Sequence, residues 1–112
     1  MESRNIVALE DVESYKKFIN ENNFVIIKAE ADWCGPCQRI KPLFKKLLNG
    51  MPSQLSIGII DISKSPKLKS FLRIRAVPLI FNVINGEVKD IINTSKENQI
   101  ISLFSKTLRR IK

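Results

Sequence analysis

The sequence predicts an α/β domain with a mixed central sheet of about five strands and helices on both faces, in the order βαβαβαββα. Three observations lead there. Short β-branched runs alternate with segments of helical periodicity along the whole chain. Phe24-Val25-Ile26-Ile27 is apolar at every position, as a strand covered on both faces must be. Leu79–Ile84 and Glu87–Ile92 are separated only by Asn85-Gly86, the strongest local signal of a β-hairpin.

The elements follow in order. Ile6–Leu9 is a short apolar strand. Asp11 can cap a helix whose Val12, Tyr15, Phe18 and Ile19 share one face. After the strand at Phe24, residues Ile40, Leu43, Phe44, Leu47 and Leu48 recur at helical spacing. Asn49-Gly50 can end that helix, and Pro42 inside it should kink it. Ile57–Ile62 reads as another buried strand. Ser65-Pro66 opens a short basic helix, with proline where no N–H is needed. Ser95 or Lys96 starts a last helix with Ile100, Leu103, Phe104, Leu108 and Ile111 on one face.

A chain of 112 residues with 44% hydrophobic and 27% charged residues fits one globular domain, residues 1–112. The charged start Met1-Glu-Ser-Arg-Asn has no apolar core of a secretory signal, and no apolar run approaches the length that spans a bilayer. A cytoplasmic, membrane-free, monomeric protein is therefore expected, and the sequon Asn93-Thr94-Ser95 reads as a chance match. The net charge is +8, and the excess lies in the second half, around Lys67, Lys69, Arg73, Arg75 and Arg109-Arg110-Ile111-Lys112. Such a surface can attract nucleic acid or an acidic partner. A solvated face in an isoleucine-, lysine- and asparagine-rich chain is the plainer reading.

The only two cysteines fall in Trp33-Cys34-Gly35-Pro36-Cys37, after the central strand and at the mouth of the second helix. A zinc site would need further Cys or His ligands, and the chain has no His and no third Cys. A purely structural disulfide would restrict little of the unfolded chain across so short a loop. Two inert thiols are a third reading. A catalytic dithiol is favoured, because such a pair can attack and then resolve a mixed disulfide, and a helix start favours the thiolate of Cys34.

Ala31-Asp32-Trp33-Cys34-Gly35-Pro36-Cys37, Pro42, Val77-Pro78 and Val83-Ile84-Asn85-Gly86-Glu87-Val88 together resemble the thioredoxin family over nearly the whole chain. The Gly-Pro between the cysteines points to that family rather than to glutaredoxins or the oxidants of export pathways. The resemblance implies the thioredoxin fold, with Cys34 as nucleophile and Cys37 as resolving thiol. It implies a docking surface of Trp33, Gly35 and Pro36, and a cis bond at Val77-Pro78 that leaves the Val77 backbone free for an extended substrate. It also implies protein disulfides as substrates, a thioredoxin reductase or equivalent as electron donor, and no bound cofactor or metal.

The chain departs from the family's pattern in a few places. Lys28 stands where the family has a buried Asp that serves the second cysteine, and Ile59 stands where that Asp's lysine partner would be. Glu30 occupies an often aromatic position, and a glycine usual after the last strand is replaced near Asn93-Thr94, which narrows the expected groove. On a strand Lys28 and Glu30 share a face and can pair. Either they manage protons for Cys37, or Lys28 snorkels to solvent. Three functions follow: a general protein-disulfide reductase, a disulfide oxidase or isomerase with restricted clients, or a non-enzymatic interaction subunit.

Overall fold

The computed structural model describes residues 5–111, so the charged start Met1–Arg4 and the terminal Lys112 of the basic tail lie outside the described residues. The chain forms β1 (Ile6–Ala8), α1 (Val12–Glu21), β2 (Phe24–Glu30), α2 (Gly35–Arg39), α3 (Lys41–Asn49), β3 (Leu55–Asp61), α4 (Pro66–Phe71), β4 (Leu79–Ile84), β5 (Glu87–Ile92) and α5 (Glu97–Arg110). The five strands make one sheet in the order β1-β3-β2-β4-β5. The central strand, β2, pairs parallel with β3 and antiparallel with β4. The topology is the thioredoxin fold.

Alternation along β2 divides the core. Val25, Ile27 and Ala29 pack with Leu9, Phe18, Leu68 and Phe81 under α1 and α4. Ile26 packs with Phe44, Leu48, Ile57, Ile80, Ile100 and Leu103 under α3 and α5. Phe44 and Phe104 meet edge to face at 5.3 Å between centroids, locking the two helices together.

Local chemistry explains most element ends. Asp11 caps α1 reciprocally: the Ser14 N–H donates to Asp11 Oδ1 at 2.7 Å, and the Asp11 N–H donates to Ser14 Oγ at 3.3 Å. Asn85 and Gly86 both have positive φ, +51° and +85°, as the tight hairpin turn requires. In β4 the register to β5 shifts between Phe81 and Val83. There the buried Asn82 side chain accepts from the Asp90 N–H at 2.7 Å and donates to Asp90 Oδ2 and Thr107 Oγ1 at 2.8 and 3.0 Å.

The structure differs from the sequence expectations in several places, the first being that β1 ends at Ala8 and not at Leu9. The second helix is interrupted rather than bent: α2 ends and α3 begins at Ile40, and Pro42, lacking an N–H, sits in the first turn of α3 where none is needed. β2 runs on through Lys28, Ala29 and Glu30, because Ala29 is fully buried and the two charges pair. β3 begins at Leu55 and ends at Asp61, not Ile57–Ile62. In α5 the face rotates onto Thr107, which is buried, and leaves Leu108 45% exposed; Thr107 tolerates burial because its Oγ1 donates to the Leu103 carbonyl at 2.7 Å.

Candidate active site

The C-terminal end of β2 delivers the chain directly into the redox loop. Cys34 and Cys37 are joined as a disulfide, with Cα atoms 5.3 Å apart. Cys34 is the N-cap of α2, and its Sγ accepts the Cys37 N–H at 3.2 Å. Pro36 in the first turn suits the φ that a helix start needs. The Cys34 N–H donates to the Ala31 carbonyl and the Gln38 N–H to the Cys34 carbonyl, so the loop is pinned on both sides.

Access separates the two sulfurs. Cys34 retains 5% exposure and Cys37 has none. Beside them Trp33 stands 71% exposed, so it is not part of the core. Gly35 is exposed, and a Cβ built on it would meet nothing closer than Arg39 Nη1 at 4.0 Å. The chain's own packing therefore does not demand glycine there; the bare backbone faces outward. The same distance places the Arg39 guanidinium at the lip of the loop.

The Val77–Pro78 bond is cis, and the Val77 carbonyl oxygen lies 3.7 Å from Cys34 Sγ. Trp33, Cys34, Gly35, Pro36, Val77 and Pro78 thus converge at one end of the sheet. Asn93, just past β5, donates from Nδ2 to the carbonyls of Ala76 at 3.1 Å and Pro78 at 2.9 Å. From the residues alone Asn93 stands out only as a chance sequon and a replaced glycine; a side chain bonding backbone that is fifteen and seventeen residues away leaves no local signal.

Lys28 does not snorkel. It is 3% exposed, its Nζ lies 2.8 Å from Glu30 Oε1, and the ammonium sits 5.0 Å from the Phe44 ring centroid. Ile59 lies directly across from Lys28 in the β2–β3 register, so β3 offers the ammonium no partner there, and Asp61 lies across from Glu30. The pair therefore packs with the cluster under α3 and α5, whereas both cysteines pack with the cluster under α1 and α4. Among the described residues no group of three or more His, Cys, Asp or Glu side chains is placed to hold a metal.

The family model described as Thioredoxin matches residues 6–106. The chain belongs to the thioredoxin family. Thioredoxin of Rickettsia felis is 28% identical over 97 residues, covering 85% of this chain and 92% of that protein. A probable thioredoxin-2 of Caenorhabditis elegans is 31% identical over 83 residues, covering 73% of this chain and 57% of that protein. Among solved structures, Plasmodium falciparum thioredoxin superposes with a TM-score of 0.81 at 21% identity, covering 88% of this chain and 96% of that one. Mitochondrial thioredoxin 3 of Saccharomyces cerevisiae does so with a TM-score of 0.81 at 22% identity, covering 95% of each chain. The protein is thus a thioredoxin-type dithiol oxidoreductase whose redox centre is the Cys34–Cys37 disulfide. Thioredoxin-family proteins work through this dithiol with no bound cofactor, on protein disulfides and with a reductase as donor. No helix among the described residues is long and apolar enough to cross a membrane.

Proposed function

We propose that this chain is a single-domain, monomeric reductase of protein disulfides, recharged by a thioredoxin reductase or an equivalent dithiol donor. The observation that carries this reading is the asymmetry of the pair: only Cys34 reaches the surface, and its sulfur already accepts the Cys37 N–H. In the reduced protein the Cys34 thiolate attacks one sulfur of a client disulfide. The client S–S bond breaks, a mixed disulfide forms, and the departing client thiolate takes a proton. Cys37, as thiolate, then attacks Cys34 Sγ, expels the second client thiolate and leaves the Cys34–Cys37 disulfide. Two electrons have passed to the client, and the donor returns them. Trp33, Gly35, Pro36, Val77 and Pro78 bind the client around the Cys34 sulfur. Lys28 and Glu30 tune the site as a neutral pair, which limits their field at the sulfurs.

Charge supports a preference among clients. Residues 33–86 hold nine basic side chains and one acidic one, and all nine are exposed. None of the nine is in an ion pair among the described residues. Arg39 and Arg75 flank the redox loop and the Val77 segment, so the preferred client disulfides carry acidic neighbours. We assign the protein to the cytoplasm, since both cysteines serve exchange and neither is committed to a structural disulfide.

Insulin reduction tests the assignment. Cys34→Ser should abolish turnover, and Cys37→Ser should accumulate a covalent mixed disulfide. Turnover on disulfide peptides with acidic flanks should fall with added salt, faster than on neutral ones. Normal turnover by Cys34→Ser would overturn the order of attack. A reduction potential near about −180 mV, rather than about −270 mV, would move the protein to disulfide oxidation or isomerisation.

A further inference from the structure

Asn93 bridges two segments that the chain brings together only at this end of the sheet. One amide nitrogen serves two carbonyls, those of Ala76 and Pro78, which flank Val77. The Val77 carbonyl is left out of this arrangement and lies 3.7 Å from Cys34 Sγ. Pro78 has no N–H, and the Val77 N–H donates to no group among the described residues. The backbone groups this segment can offer an incoming peptide are therefore those of Val77, next to the attacking sulfur. An amide suits the task because its nitrogen carries two donors; a carboxylate of the same shape only accepts, and a hydroxyl donates once.

We propose that Asn93 is a positioning residue that clamps Ala76–Pro78 from the β5 side, so that Val77 meets a client backbone in register with Cys34. Deepening the reductase reading on which it rests, this makes Asn93 selective for disulfides carried in extended polypeptide. A small aryl disulfide needs only the sulfur, and gains nothing from the clamp. Peptide pairing along an exposed backbone edge is the kind of contact that such a clamp pre-organises.

The test compares Asn93→Ala and Asn93→Asp with the wild type on two substrates, insulin and dithionitrobenzoate, with thermal unfolding followed in parallel. Asn93 is exposed, so both variants should fold. Loss of the two neutral hydrogen bonds should lower kcat/KM on insulin by about fivefold to tenfold, mainly through KM. Asn93→Asp, which turns donor into acceptor against two carbonyls, should lose more than Asn93→Ala. Rates on dithionitrobenzoate should stay within about twofold, since the sulfur itself is untouched. Equal losses on both substrates, or none on insulin, would overturn the proposal. Failure of the wild type to reduce insulin would instead overturn the reductase assignment.

Discussion

Removing the carboxylate from Glu30 isolates a buried cation, and the cost can be worked from the geometry. Lys28 is 3% exposed and its carboxylate partner is 2.8 Å away. Stranding one partner of a buried pair costs about 3–5 kcal/mol. Glu30 keeps 18% side-chain exposure, so water can reach the vacated position, and the Phe44 ring still faces the ammonium. Both features place Glu30→Gln at the low end, about 3 kcal/mol. For a domain of 112 residues that is roughly a 10 °C fall in Tm. Lys28→Met should cost less than Glu30→Gln, because the carboxylate it strands keeps 18% exposure and can be hydrated, while the thioether fills the same volume against Phe44. Glu30→Gln on that background should then cost less than about 1 kcal/mol. Urea unfolding of the four proteins closes the cycle. A Glu30→Gln loss below about 1 kcal/mol would show that Nζ is solvated without its partner, and would refute the reasoning. Unfolding oxidised and reduced forms separately adds a redox arm to the same experiment. By linkage, a change of potential equals the difference in mutational cost between the two forms. Since Lys28 packs with the cluster under α3 and α5 and not with that of the cysteines, Lys28→Met should shift that difference by no more than about 1.4 kcal/mol, or about 30 mV.

Two other perturbations are specific. A Cβ at Gly58 would lie 2.6 Å from Leu9 Cδ1, 2.7 Å from Ile27 Cδ1 and 3.2 Å from Phe18 Cε2, so Gly58→Ala should cost about 1–3 kcal/mol in denaturant midpoints; an unchanged midpoint would show that the core yields freely there. Asp90 is held below the ordinary carboxylate range first by the Asn82 amide and then by Arg110, against an opposing contribution from burial. Its folded value therefore lies below its unfolded one, so its stabilisation is complete above the unfolded carboxylate range and is lost as pH falls through the folded value. Asp90→Asn should flatten the acid side of the stability profile, and an unaltered slope there would contradict this.

The elements whose physics is local were legible from the residues alone. The Asp11 cap, the Asn85-Gly86 turn and the apolar run at Phe24 each act within a few positions, and each formed where the sequence placed it. The cysteine pairing needed no more than the count of cysteines. What escaped depends on distant partners. The Lys28–Glu30 pairing was open from their shared strand face, but the burial of Lys28 against Phe44 of α3 was not. Thr107 and Leu108 exchange roles because Asn82, twenty-five residues away from Thr107, offers a hydrogen-bond partner inside the core. The helix break at Ile40 arises from the way the redox turn and Pro42 each claim a helix start. Asn93 likewise acquires its significance from carbonyls that only the folded chain presents.

The sulfur of Cys34 caps α2 through the Cys37 N–H, and one atom thereby holds two offices. Whatever firms the first turn of that helix also changes how much electron density the sulfur lends to a client, and the reverse holds too. A designer who stiffens this turn for thermal robustness will retune the redox couple without touching a cysteine. Conversely, each catalytic cycle rewrites the helix's own terminus, so the Cys37 amide becomes a built-in reporter whose hydrogen-exchange rate tells an observer which electron state the protein is in.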